Sequence, residues 1–131
     1  MDDKDSRALR GLAWFQGIFY VATGVWPLVS MATFVAVTGP KVDLWLVRAV
    51  GILVAVVGGA LLIGARRRRI GPELVFLAVG CAAGLAAIDL FYALADRIWD
   101  IYLLDAAVEI ALALAWAISW RKAPGITPGR S

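Results

Sequence analysis

Four ionisable residues stand inside otherwise apolar stretches of this sequence: Arg48, Asp89, Asp105 and Glu109. A charge within a membrane-length apolar segment is costly to keep, so each is a candidate for function. The available chemistry is narrow. Carboxylates accept hydrogen bonds, hold cations and move protons, and an arginine supplies a fixed counter-charge. Asp89, Tyr92 and Asp96 are spaced i, i+3, i+7 and share one helical face, while Asp105 and Glu109 are spaced i, i+4 and share another. Arg48 leads into Gly51, Ala55, Gly58, Gly59 and Leu62, a stripe of small residues that predicts close helix contact. That stripe turns Arg48 inward, where a carboxylate can meet it.

A weaker set extends the polar path. Gln16, Tyr20 and Thr23 share a face by i, i+4, i+7 spacing, and Trp26 lies mid-span beside Pro27. Tyr102 stands one turn before Asp105 and is a candidate pocket wall. Other chemistries are excluded. There is no histidine, so no histidine base, metal ligand or haem ligand. The single cysteine, Cys81, can form neither an internal disulfide nor a cysteine-based zinc site. No phosphate-binding glycine loop with lysine, CxxC or HExxH occurs, and no metal or cofactor is expected.

The elements that must position these residues follow from composition. The chain has 131 residues, 62% of them hydrophobic, and a mean hydropathy of +0.81. A soluble globule of that size could not hide so much apolar surface. A spanning helix needs about 20 apolar residues. Four stretches qualify: Leu12 to Val37, Leu44 to Gly64, Pro72 to Ala95 and Ile101 to Trp120. Their short connections predict an all-α, antiparallel four-helix transmembrane bundle. Residues 1–11 form a cytoplasmic segment, 12–120 the transmembrane domain, and 121–131 a tail expected to be disordered. The first span is too long for a signal-peptide core. Pro27 predicts a kink within it. Pro72 and Glu73 suit the start of the third span.

Charge sets the orientation. Ten basic residues, including Arg66, Arg67, Arg68 and Arg69, fall on the side shared by both termini and the middle loop. Lys41, Arg48 and Arg97 fall on the other. This bias places the termini in the cytoplasm of an inner membrane. The basic patch suits orientation and anionic lipid, and no nucleic-acid partner is expected. Trp14, Trp116 and Trp120 at one end, with Trp45 and Trp99 at the other, predict interfacial belts.

Arg48, Asp89, Asp105 and Glu109 then reach similar depth in the outer half. Two readings fit them. One is a buried ion-pair network that sets helix registry. The other is an outward-opening polar pocket for a small amphipathic or cationic ligand, or a proton relay. Either makes Arg48→Ala more destabilising than Asp96→Ala, because a stranded buried charge is costly. Gly80/Gly84 and Gly51/Gly58 are candidate surfaces for a second copy or a membrane partner.

Phe15-Gln16-Gly17, Tyr20, the run Thr23-Gly24-Val25-Trp26-Pro27-Leu28, then Thr38-Gly39-Pro40-Lys41, Asp43 and Trp45-Leu46-Val47 form a pattern. With Tyr102-Leu103-Leu104-Asp105-Ala106-Ala107 and Glu109, it resembles a group of small bacterial four-helix membrane proteins of unassigned function. The resemblance covers most of residues 12–120 and implies four spanning helices and no activity. In size and span count the chain is also similar to DoxX-like proteins and to the sterol-isomerase-like EXPERA domain, by architecture rather than by motif. Three functions remain open: small-molecule binding or transport, carboxylate acid/base catalysis on a lipid-soluble substrate, and an accessory subunit of a larger complex.

Overall fold

The computed structural model describes residues 3–95 and 97–121, with side chains from Arg7 onward. The tail expected beyond Arg121 and the face partner Asp96 lie outside the described residues. The described chain is all-helical: α1 (Asp3–Val29), α2 (Met31–Thr38), α3 (Leu44–Arg67), α4 (Pro72–Leu94) and α5 (Ile101–Arg121). Among the described residues four helices are long and apolar enough to cross a membrane.

The expected first span divides in two. Helix α1 starts well before Leu12, within the segment assigned to residues 1–11, and its 27 residues measure about 40 Å. Pro27 stays inside its last turn, and the break comes three residues later at Ser30. Proline leaves the Thr23 carbonyl without its helical donor. The break itself is a cap: Ser30 adopts φ −147°, and its side chain accepts from the Thr33 amide. The other spans match their expected bounds to within three residues. Pro72 occupies the first turn of α4 with Glu73 beside it. Arg68, at φ 56°, ends α3 in the left-handed conformation.

Packing explains why the two halves of the bundle differ. Helix α1 packs most extensively on α3, and α4 on α5, while α3 and α4 barely meet. Glycines bring α1 and α3 together. A methyl added at Gly58 would lie 2.8 Å from the Gly17 carbonyl oxygen and from the Val21 amide nitrogen. Gly24 and Gly51 approach as closely one level further out. Gly51 and Gly58 are therefore spent inside the chain, and the expectation that they seat a partner is corrected. Gly80 and Gly84 instead face outward, and a methyl at either would meet nothing within 4 Å.

The α4–α5 pair relies on small alanines. Ala78, Ala82, Ala86 and Ala93 form the buried stripe of α4, with Asp89 between them. The inward stripe of α5 is Ala106, Glu109, Leu112 and Trp116. Leu9, Ala13, Leu61, Ala65, Leu74, Val75, Ala78 and Trp116 close the half of the bundle next to the α3–α4 connection as one core. The outward surface is apolar, with Phe15, Ile18, Leu53, Phe76, Phe91 and Leu114 turned away from the bundle, as suits lipid contact. One expected belt residue departs from this frame. Trp116 is fully buried, because it falls on the α5 stripe that meets α1.

Candidate functional site

The halves of the helices next to the α2–α3 and α4–α5 connections line an open cavity of about 320 Å³. Helix α1 contributes Tyr20, Thr23, Gly24 and Pro27, and α2 contributes Phe34. Helix α3 lines the opposite side with Leu46, Val47, Val50, Gly51 and Val54. Leu85 of α4 and Tyr102, Asp105 and Glu109 of α5 complete it, with Lys41 from the α2–α3 connection. Mostly apolar walls with a few convergent polar groups are the usual make-up of a small-molecule pocket. A neighbouring apolar cavity of about 300 Å³ shares Thr23, Phe34, Tyr102 and Asp105, and Trp26 lines it.

Glu109 is the deepest polar group of the wall, about 12 Å along α5 from its first residue. It is 1% exposed. The Tyr20 hydroxyl donates to its Oε2 across 2.7 Å. Below Tyr20, Gln16 is fully buried: it accepts from the Trp116 indole at 2.7 Å and donates to the Ala78 carbonyl at 3.1 Å. The i, i+4 spacing of Gln16 and Tyr20 on α1 thus places one against α4 and α5 and the other against Glu109. Thr23, the third member of that face, donates to the Phe19 carbonyl at 2.8 Å and presents the rest of its side chain to the cavity.

Asp89 lies on the buried stripe of α4, and Asp105 lies on the cavity wall of α5. Asp89 is 5% exposed, and no donor reaches its Oδ2. Asp105, on α5, is half-buried. A buried acceptor without a donor is costly unless another group supplies one. Asp105 stands one turn before Glu109 on α5, and both line the cavity.

Two expected members are not brought in. Arg48 is exposed and stands outside the cavity. The close contact of α1 and α3 ends at Gly24, Pro27 and Gly51, and Arg48 lies one turn beyond it. There, near the end of α3, a long side chain can carry its charge to the interface instead of the bundle. The Arg48–carboxylate network is therefore corrected. Tyr92 is 42% exposed and packs edge-on against Phe91, with ring centroids 5.1 Å apart. Ala93 takes the inward position one residue later, and Tyr92 is corrected from pocket wall to outer surface. Trp26 donates to Thr33 Oγ1 at 2.9 Å and stacks edge-on with Phe34, tying α1 to α2.

Lys41 is the wall residue that the sequence pattern did not single out. Its ammonium donates to the Thr38 carbonyl at 3.1 Å, Thr38 Oγ1 at 3.2 Å and the Gly39 carbonyl at 2.8 Å. It also sits over the Tyr102 and Phe34 rings, 5.2 and 5.8 Å from their centroids. A cation at a helix C-terminus satisfies the last carbonyls and the helix dipole. The signal that could have found it was local: Gly39, at φ 102°, turns the chain so that Lys41 folds back onto α2.

No family model, curated protein or solved structure matches this chain.

Proposed function

We propose that this protein binds an amphipathic small molecule in the outer half of the membrane, as a step in its transport. The observation that carries the reading is Glu109, fully buried yet at the wall of an apolar cavity among α1, α3, α4 and α5. A buried carboxylate with one protein donor has acceptor capacity left for a ligand. Val47, Val50, Val54 and Leu85 suit the apolar part of such a molecule, and Tyr102 and Asp105 its polar end. Arg66–Arg69 and the basic residues near both termini support a cytoplasmic placement of that side, in a bacterial inner membrane.

The test is thermal stability in lipid nanodiscs across a panel of amphiphiles. Ligands that raise the melting temperature of the parent protein should lose that effect in Val54→Phe, which fills the cavity from α3. Equal shifts in both proteins would place binding elsewhere.

The Tyr20–Glu109 hydrogen bond favours a second reading, carboxylate acid/base chemistry on a lipid-soluble substrate. Turnover of such a substrate that vanishes in a folded Glu109→Gln variant would select it over binding alone.

A further inference from the structure

The buried acids of α4 and α5 are short of donors, and of them Glu109 is on the cavity wall while Asp89 is not. Glu109 receives the Tyr20 hydroxyl, and Asp89 Oδ2, on a side chain 5% exposed, receives none. Lys41 is the one basic residue on the cavity wall, and its three N–H groups already serve the oxygens of Thr38 and Gly39. Arg48 is turned away. Asp105 and Glu109, both on the cavity wall, thus offer acceptors that no cation of that wall meets.

Among the described residues no group of three or more acidic, cysteine or histidine side chains converges to hold a metal ion. Magnesium and calcium need a dense, convergent set of oxygen ligands. The rest of the cavity wall is mainly apolar, and its other side-chain oxygens are the hydroxyls of Tyr20, Thr23 and Tyr102.

Resting on the ligand-binding reading, we propose that the ligand is a monocationic amphiphile with N–H donors, a protonated primary or secondary alkylamine. Its ammonium sits between Asp105 and Glu109 and donates to both carboxylates. Its chain lies along Val47, Val50 and Val54 of α3. Charge and donors both matter: burial beside carboxylates rewards a cation, and the unfilled acceptors reward N–H groups.

The experiment is equilibrium binding of radiolabelled n-decylammonium to the protein in zwitterionic nanodiscs, with empty discs subtracted. Competitors of equal chain length are n-decanol, n-decanoate and n-decyltrimethylammonium. Saturable binding is expected, weakened by about tenfold or more in Asp105→Asn and in Glu109→Gln, a factor equivalent to about 1.4 kcal/mol. Arg48→Ala and Tyr92→Phe should bind as the parent does. The trimethyl compound, charged but without N–H groups, should compete poorly. Competition by decanol or decanoate as strong as by unlabelled decylammonium would overturn the ammonium assignment and leave the ligand-binding reading standing. Uptake that never saturates, with no competition by any of the four, would overturn both. The half-buried Asp105 keeps the test usable if Glu109→Gln fails to fold.

Discussion

The Tyr20 hydroxyl and the Glu109 carboxylate are 2.7 Å apart, a bond that joins α1 to α5 where the packed half of the bundle gives way to the cavity. It has one donor and one acceptor, both buried, so each needs the other. Tyr20→Phe should lower stability by about 1 kcal/mol, the scale of an interhelical hydrogen bond within a membrane bundle. A double-mutant cycle with Glu109→Gln, read as melting temperatures in detergent, should show coupling between the two positions. Strictly additive effects would mean that the bond does not hold the helices together.

The glycine contacts of α1 and α3 make a sharp comparison. Gly58→Val places a side chain against the Gly17 carbonyl and the Val21 amide and should destabilise by about 1–3 kcal/mol or more. At Gly59, one residue on, a β-carbon would meet nothing within 4 Å, and Gly59→Val should be close to neutral. Thermal unfolding of the two variants side by side is the check. Matching losses would displace Gly58 from the α1 interface.

Arg48 offers a test of exposure. It lies outside the cavity, so Arg48→Ala should change stability by no more than about 0.5 kcal/mol. This reverses the expectation drawn from spacing alone. Gln16→Leu, by contrast, strands the Trp116 indole N–H in a buried site and should cost about 1–3 kcal/mol. A larger loss for Arg48→Ala than for Gln16→Leu would restore the arginine to the interior.

The orientation implied by the basic residues is open to labelling. In a Cys81→Ser background, Val42→Cys sits in a 96% exposed loop position, and the proposed orientation predicts that it reacts with an impermeant maleimide in intact cells. Arg68→Cys, in the loop between α3 and α4, should react only after permeabilisation. The opposite pattern would invert the topology.

How far the sequence reveals this molecule depends on the physical scale of each feature. Spans are long-range hydropathy, and Leu44, Pro72 and Ile101 start their helices where apolar length and capping residues place them. The Gln16–Tyr20 face and the inward Glu109 follow from helical spacing, and both are found. Spacing fails where packing decides between neighbours. Asp89 and Tyr92 share a nominal face, yet α5 buries Asp89 and Ala93 and leaves Tyr92 outside. Arg48 continues the small-residue stripe by spacing, but α1 ends its contact one turn short of it. The break at Ser30 and the return of Lys41 depend on single backbone angles and caps, which hydropathy does not register.

The most direct test of the pocket is an experimental density map of the protein purified from its own membrane in mild detergent, with no ligand added. The ligand-binding reading predicts non-protein density between α3 and α5, in contact with Asp105 and Glu109 and bordered by Val50 and Tyr102. A map in which Glu109 is covered by side chains and α3 closes onto α5, with no room between Val54 and Glu109, would contradict it.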